Sequence, residues 1–193
     1  YYLTGLNPGT TYYFQAWAKN SVGWGNGTAL SFTTQSTVIA ARIDSYYPND
    51  PNNPLTVAPG NSVTLSVTFT NTGNTAWNFI AGTTVWNSSG TIVGDYSQTL
   101  STALQPNQQT TVSFSHTVSQ AGDYWVQFGV WKAAPFVSEN LLDKEPSPSQ
   151  RLIVGQAAAT IPTVQTQPAT LIVTTAAMLN AYIASDGGAS IVE

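Results

Sequence analysis

The side chains best suited to acid–base or metal chemistry are few, and they lie far apart in the sequence. His116 is the only histidine among 193 residues, which include nine acidic residues and no cysteine. One histidine cannot form a histidine pair, and the lack of thiols excludes thiolate ligands and disulfides. Asp143 and Glu145 flank Lys144 in a predicted loop, which is typical of a solvated run rather than an acid–base pair. We therefore expect no enzymatic activity, no metal site and no cofactor.

His116 lies on a predicted strand, Thr110–Val118, in register with apolar residues. Val112, Phe114 and Val118 share its face when side chains alternate along the strand. This position predicts a half-buried, neutral imidazole with a local hydrogen bond rather than a catalytic base.

Aromatic residues recur along the predicted strand Tyr124–Trp131 and divide between its two faces. One face is expected to be core and carries Tyr124, Val126, Phe128 and Val130. The other face carries Trp125, Gln127 and Trp131. Indole rings beside an amide could stack on sugar rings, or a neighbouring domain or another subunit could bury them. These three residues are therefore candidates for glycan binding or for an interface.

Two short segments match the acceptor pattern for N-linked glycosylation. They are Asn26-Gly27-Thr28 and Asn87-Ser88-Ser89, and both fall in predicted loops or strand ends. Asn26 and Asn87 are therefore candidate modification sites.

The composition excludes several classes of partner. Charged residues make up only 7% of the chain, and the net charge of -4 includes just five basic residues. Such a chain has no basic footprint for nucleic acid and no polybasic segment for anionic lipid. No apolar run approaches the roughly 20 residues of a membrane-spanning helix. A surface with so little charge is prone to self-association.

Alternation of apolar and hydroxyl side chains is most regular between Asn61 and Trp77. The apolar set is Val63, Leu65, Val67 and Phe69, and the hydroxyl set is Thr64, Ser66, Thr68 and Thr70. A period of two with many β-branched residues predicts a half-buried β-strand. The strand should end at Asn71-Thr72-Gly73-Asn74, a turn sequence, with Trp77 covering the end of the core. Further short strands between turn signals predict an all-β sandwich.

The first 34 residues contain a turn that feeds a strand and then a Gly/Asn-rich loop and a last strand. Six residues set the spacing of this turn, strand and loop: Leu6, Pro8, Thr10, Tyr12, Ala18 and Asn20. In their spacing this segment resembles the end of a fibronectin type III domain. The resemblance implies that the Tyr12 hydroxyl hydrogen-bonds the preceding turn, as in a tyrosine corner. The alternation of side chains along the segment places Tyr12, Phe14, Ala16 and Ala18 on one face of a single strand.

The central segment carries three further motifs: Asn71-Thr72-Gly73 followed by Trp77, the Pro106-Asn107-Gln108 turn, and Ala121-Gly122-Asp123-Tyr124-Trp125. In these it resembles immunoglobulin-like modules of the CARDB type, the cell-adhesion-related domains. The resemblance implies a spacer or adhesive unit without catalytic residues. Beyond it, residues 161–193 resemble the first strands of a fibronectin type III-like domain.

These patterns together predict an all-β chain in three parts. By these resemblances, residues 1–36 are expected to be the C-terminal part of a fibronectin type III-like domain, residues 37–155 a CARDB-type immunoglobulin-like β-sandwich, and residues 156–193 the N-terminal part of a second fibronectin type III-like domain. Each terminal part should expose an apolar face. The expected subunit-contact residues are Tyr12, Phe14 and Phe32 at one end, and Val164, Leu179 and Ile183 at the other.

The expected function is that of an extracellular or cell-surface structural module. It would be a subunit or repeat of a filament whose copies join head-to-tail through composite β-sandwiches. The alternative is an accessory carbohydrate-binding segment of a large secreted glycoside hydrolase, with glycans as the partner. Exposed and coplanar rings at Trp125 and Trp131 would favour sugar binding, whereas buried rings would favour assembly.

Overall fold

The regular structure is entirely β in the residues described by a computed structural model of the chain, which are 2–157, 160–185 and 187. The strands, in chain order, are β1 (Thr11–Phe14), β2 (Trp17–Lys19), β3 (Trp24–Asn26), β4 (Leu30–Thr33), β5 (Ala41–Tyr47), β6 (Leu55–Val57), β7 (Ser62–Asn71), β8 (Ile80–Asn87), β9 (Ile92–Thr99), β10 (Gln109–Thr117), β11 (Gly122–Trp131), β12 (Leu141–Gly155), β13 (Thr163–Val173) and β14 (Ala176–Ser185). These described residues include no helix that is long and apolar enough to cross a membrane.

Strands β5 to β12 form an immunoglobulin-like β-sandwich, the fold class predicted from the sequence. One sheet has the order β10-β7-β5, and the other has the order β6-β12-β11-β8-β9. Neighbouring strands are antiparallel, except that β6 runs parallel to β12.

The core lies between these two sheets and is built by the alternation seen in the sequence. All the residues predicted to share it are buried in one cluster: Val63, Leu65, Val67, Phe69, Val112, Phe114, Tyr124, Val126 and Phe128. Phe69, near the carboxyl end of β7, meets Phe79 edge-to-face with ring centroids 5.9 Å apart. Because successive side chains on a strand point to opposite faces, one strand can line the core and still present hydroxyl groups to solvent.

A buried asparagine closes one end of the sandwich, where the sequence predicted a turn. Asn71 is fully buried, and its Nδ2 donates to the carbonyl oxygens of Thr75 and Leu104, each at 2.8 Å. Its Oδ1 accepts from the amide of Gly73 at 2.9 Å. A Cβ at Gly73 would collide with the backbone of Val38, so this turn needs glycine. Each polar atom of the Asn71 side chain thus has a partner, which makes its burial tolerable.

Trp77 follows this turn and covers the core edge, as predicted. The residue is half-buried against the core cluster, and its Nε1 donates to the carbonyl oxygen of Lys132 at 2.7 Å. Trp77 also forms an isolated bridge with Leu104, which ties the connection before β10 to the same corner.

The loop predicted around Asp143, Lys144 and Glu145 is wrong, because these residues belong to the long strand β12. Pro146 and Pro148 are unfavourable within a paired strand, since proline cannot donate to a ladder. The register shows why they are tolerated. Glu145 pairs with Phe128 and Gln150 pairs with Val126, so both prolines lie in a bulge without partners on β11.

The single strand predicted from Tyr12 to Lys19 is also wrong, because the chain breaks its ladder at Gln15 and Ala16. Strand β1 pairs with β4. Strand β2 pairs instead with β3, and β3 lies inside the segment that was predicted to be a loop. At the break, the Gly27 amide donates to the Ala16 carbonyl at 2.9 Å and the Gln15 side chain donates to the Gly27 carbonyl at 2.8 Å. Ala16 therefore does not continue the face of Tyr12 and Phe14.

The hydrogen bond predicted for Tyr12 is present. The Asn7 amide donates to the Tyr12 hydroxyl at 2.8 Å, so the phenol holds the turn that precedes β1. This bond agrees with a tyrosine corner. The assignment of residues 1–36 to a fibronectin type III-like domain stays a prediction, as do the three domain boundaries.

Strands β13 and β14 form a long antiparallel hairpin whose side chains are nearly all exposed. Residues 158–159, 186 and 188–193 of the predicted third unit lie outside the described residues. Within the hairpin, Val164 lies directly opposite Ile183.

Replacing Phe69 with alanine tests the register of β7. Because Phe69 is fully buried, Phe69→Ala should lower the free energy of unfolding by about 3–5 kcal/mol. Urea denaturation followed by circular dichroism measures the change. Thr64→Ala, on the exposed face of the same strand, is the control and should change stability by less than about 0.5 kcal/mol. Equal effects of the two substitutions would contradict the register.

Candidate functional site

The outer face of the five-stranded sheet carries the tryptophans singled out by the sequence, together with one that it missed. Trp125 on β11 lies directly opposite Trp86 on β8, and Gln127 lies opposite Thr84. The missed signal was the alternation along β8, where Ala81, Thr83 and Val85 are buried and Trp86 therefore faces outward.

Trp86 and Trp125 frame one end of this face. Both are half-buried, and with Ser149 and the β8–β9 turn they line a cavity of about 440 Å³. Asn87 and Ser88 belong to the same lining.

Trp131 lies flat on the sheet near the other end of the face. A Cβ at Gly129 would collide with its six-membered ring, and one at Gly82 would lie 3.1 Å from it, so the indole occupies space that these glycines leave open. The Phe136 ring meets Trp131 edge-on, with centroids 5.2 Å apart and planes at 64°. A cavity of about 240 Å³ lies beside this pair and is also lined by Thr84, Asp95 and Ser97.

Polar groups occupy the space between the two aromatic ends. Gln127 donates from Nε2 to the Pro146 carbonyl at 3.0 Å, and the Thr84 hydroxyl donates to Asp95 Oδ1 at 3.1 Å. Together with Lys144, Gln127 and Thr84 help to line a third cavity, of about 310 Å³, that reaches from Trp86 to Trp131. The face is thus a groove in which aromatic and hydrogen-bonding side chains alternate.

The side chains of Trp125 and Trp131 are neither fully exposed, which would favour sugar binding, nor fully buried, which would favour assembly. Both rings are half-buried within the chain itself.

His116 is more deeply buried than predicted, with 2% of its surface exposed. Its Nδ1 is 3.0 Å from the Tyr96 hydroxyl, and the Tyr124 ring lies edge-on at 6.2 Å. Gly94 makes room for the imidazole, since a Cβ there would lie 2.7 Å from Nδ1. Burial lowers the pKa of His116, because removal from water disfavours the charged form.

The carboxylates do not form a cluster with His116. Asp143 accepts the Ile43 amide at 2.7 Å through Oδ2 and the Lys144 amide at 2.9 Å through Oδ1, so it links β12 to the opposite sheet. This is a structural contact rather than the solvated run that was expected. In the described part of the chain, no group of three or more His, Asp or Glu side chains is placed to bind a metal ion.

Asp44 has the most perturbed carboxyl group, on the outer face of the three-stranded sheet. Hydrogen bonds from Thr70, Gln109 and Arg42 lower its pKa from 3.8 to about 2. The network ties β5 to its neighbours and offers no second titrating group for catalysis.

The two candidate glycosylation sites differ in their surroundings. Asn26 is exposed at the end of β3. Asn87 is half-buried at the end of β8, where its Oδ1 accepts from the amides of Ser89 and Thr91 and from the Ser89 hydroxyl. Its Oδ1 therefore shapes the β8–β9 turn, and no described residue accepts a hydrogen bond from its Nδ2. Modification of either site stays a prediction.

The predicted subunit-contact residues lie on two pairs of strands that flank the sandwich, β1 with β4 and β13 with β14. These two pairs are called the flanking hairpins. Phe32 stacks on Tyr12 with centroids 5.8 Å apart and lies 6.3 Å from Phe14. Phe14 is 50% exposed, as expected for an uncovered face. On β13 and β14, the exposed fractions are 58% for Val164, 86% for Leu179 and 46% for Ile183.

Comparison with known proteins gives weak likenesses only. No family model matches the sequence, and no curated protein matches it. Solved structures that resemble the chain include the CARDB domain of a Pyrococcus furiosus protein, at 15% identity and a TM-score of 0.35. That match covers 61% of this chain and 94% of the other.

Two further matches are domains within large enzymes. A β-glucosidase from Listeria innocua matches at 16% identity and a TM-score of 0.36, over 66% of this chain and 17% of its own. A putative β-galactosidase from Bacteroides fragilis matches at 13% identity and a TM-score of 0.36, over 65% of this chain and 16% of its own. The chain thus spans about a sixth of either glycosidase, and no function is transferred from likenesses this weak.

The buried imidazole gives a testable pH dependence. The folded-state pKa of His116 lies below its usual value of 6.5. The imidazole therefore binds a proton more readily in the unfolded chain than in the folded chain. The free energy of unfolding should therefore have its full value above about pH 6.5 and should decrease as the pH falls below that value. Urea denaturation of the wild type and His116→Leu between pH 7.5 and 5 measures this.

His116→Leu should show a flatter profile over that range, whatever its absolute stability. The contribution of Asp44 is separate, because it is present above its usual pKa of 3.8 and is lost as the pH falls towards about 2. Parallel profiles for the two proteins between pH 7.5 and 5 would contradict the assignment to His116.

Proposed function

We propose that the chain is a non-catalytic structural module of an extracellular or cell-surface filament, in which copies join head-to-tail. The β13–β14 hairpin of one copy packs over the β1–β4 face of the next and completes a composite β-sandwich. The observation that carries this proposal is the contrast in burial between the central sandwich and the two hairpins.

In the central sandwich, each sheet covers the apolar face of the other, and Leu65, Val67 and Phe69 have no exposed surface. The hairpins have no such cover among the described residues. A two-stranded hairpin is marginal in water unless another layer packs against it. Each hairpin therefore needs a second surface to be stably ordered.

The β1–β4 face is predominantly aromatic. Tyr12 lies opposite Phe32, and Phe14 lies opposite Leu30, so all four side chains share one face. Exposed fractions of 37% for Phe32 and 56% for Leu30 leave much of this face open to water. Burial of such apolar surface contributes about 25 cal/mol per Å².

The β13–β14 hairpin offers a largely aliphatic surface on longer strands, of 11 and 10 residues. Val164 and Ile183 lie opposite each other, and Leu179 lies on the same side of β14. The other side exposes Met178 by 52% and Tyr182 by 59%. Both strands also leave outer edges whose backbone groups can add to another sheet.

A second copy suits these surfaces because the two hairpins differ from each other. A contact between unlike surfaces of identical subunits is heterologous, so it repeats into an open fibre instead of closing as a dimer. With 7% charged residues, the chain has little charge to repel a neighbouring copy. The same scarcity of charge, and the structural use of His116 and Asp143, favours a non-catalytic role.

The test places a charge in each hairpin face and measures assembly by sedimentation velocity. The wild type should form a concentration-dependent series of linear oligomers. Phe14→Asp and Ile183→Asp should each abolish the series, because an uncompensated carboxylate is costly to bury. Thr64→Asp, on the exposed outer face of β7, is the control and should assemble like the wild type.

Mixing the two defective proteins distinguishes the proposed contact from non-specific aggregation. The Phe14→Asp protein retains an intact β13–β14 surface, and the Ile183→Asp protein retains an intact β1–β4 surface. A one-to-one mixture should therefore stop at heterodimers. A wild type that stays monomeric at all accessible concentrations, or variants that assemble normally, would overturn the proposal.

A further inference from the structure

We propose that the groove on the outer face of the five-stranded sheet binds a neutral, linear glycan. Its aromatic platform is Trp86, Trp125 and Trp131, and its hydrogen-bonding groups are Thr84, Asp95, Gln127 and Lys144. This site is independent of the head-to-tail contact, which uses only the flanking hairpins.

The length of the groove fits a chain of several sugar rings. Trp125 and Trp131 lie six positions apart on β11, a separation of about 20 Å at ~3.3 Å per residue. The three cavities along this line share residues: Trp86 lines the cavities of about 440 and 310 Å³, and Trp131, Phe136 and Thr84 line those of about 310 and 240 Å³. The cavities are therefore adjacent along this face, and each shares part of its wall with the next.

The aromatic residues offer flat apolar rings at both ends of the groove. Trp86 and Trp125 are paired across neighbouring strands, and Trp131 is held flat by Gly82 and Gly129. A sugar ring has an apolar face of C–H groups and an edge of hydroxyl groups, so it matches an indole with polar groups beside it. Aromatic side chains with a polar handle suit such mixed surfaces.

The polar groups in the groove keep unused hydrogen-bonding capacity. No described residue donates to Asp95 Oδ2 or Gln127 Oε1, and none accepts from Lys144 Nζ. Likewise, no described residue accepts a hydrogen bond from Nε1 of Trp86, Trp125 or Trp131, whereas Nε1 of Trp77 is bonded to the Lys132 carbonyl. These donors and acceptors could engage the hydroxyl groups of a sugar.

Charge selects a neutral ligand over an anionic one or a protein partner. The groove carries one carboxylate, Asp95, and one ammonium group, Lys144, so its formal charges cancel. An acidic polysaccharide would meet no excess of positive charge. A protein surface would have to bury this acid and this base, along with the unpaired polar groups, at a desolvation cost.

One end of the groove is adjacent to a candidate modification site. Asn87 lines the cavity between Trp86 and Trp125, so a glycan attached there would compete with a free one. The experiment therefore uses the 193-residue chain produced in a host without N-glycosylation, and mass spectrometry confirms that no sugar is attached.

The test screens immobilised neutral and acidic polysaccharides and then measures affinity for soluble oligosaccharides by calorimetry at two salt concentrations. The wild type should bind a neutral linear glycan with little dependence on salt, since no net charge is neutralised. Trp86→Ala and Trp125→Ala should each weaken binding by about ten-fold or more. Trp17→Ala removes an indole that is 60% exposed on β2, outside the groove, and should leave the affinity unchanged.

A second variant guards against loss of folding. Asp95 is exposed, so Asp95→Asn should keep the native circular dichroism spectrum while changing glycan affinity or preference. Failure of the wild type to bind any neutral glycan, binding only to polyanions, or equal losses for Trp17→Ala and Trp125→Ala would overturn the proposal. Normal filament assembly in the groove variants would show that the two surfaces act separately.

Discussion

The need to cover the apolar face of a sheet governs the structure of this chain. The apolar face of strand β7 is fully covered, because its inward residues from Val63 to Phe69 are enclosed between two sheets. Each stacked sheet removes the other's apolar side chains from water, which is the main favourable term in folding. The flanking hairpins present the same kind of face without a second layer in the described residues. The chain therefore combines a closed domain with two open surfaces.

Closing the sandwich also requires polar groups to be satisfied where strands end. Asn71 does this at one corner, and its amide joins the turn after β7 to the connection that precedes β10. Asp143 does it across the layers by accepting an amide from β5 at a bulge between Ile43 and Ser45. In both cases a polar side chain fixes an irregular backbone segment, so that the apolar core beside it can be regular.

Much of the sandwich could be predicted because a period of two is a local property. The inward residues of β7, β10 and β11 follow from spacing within a few residues. The bond from Asn7 to Tyr12 was expected from the resemblance to the end of a fibronectin type III domain. The extent of β12 could not be predicted in this way, since whether Pro146 needs a hydrogen-bonded partner depends on its register with β11.

Only part of the groove could be predicted from the sequence, for a related reason. Trp125 and Trp131 share one strand, but Trp86 and Asp95 join them only through the pairing of β8 with its two neighbours. Cross-strand neighbours are set by tertiary structure, and no local pattern identifies them. The flat position of Trp131 also depends on glycines from two different strands.

The parallel pair β6 and β12 has a mechanical consequence. Leu55, Thr56 and Val57 are aligned with Ile153, Val154 and Gly155, near opposite ends of the sandwich sequence. Tension applied to the polypeptide on both sides of the sandwich would first load β5, which precedes β6 and pairs with β7. Once β5 is released, the tension would draw β6 towards its amino end and β12 towards its carboxyl end. Because the strands run in the same direction, the hydrogen bonds between them would be sheared together instead of unzipping one by one. The two strands would thus act as a clamp against stretching.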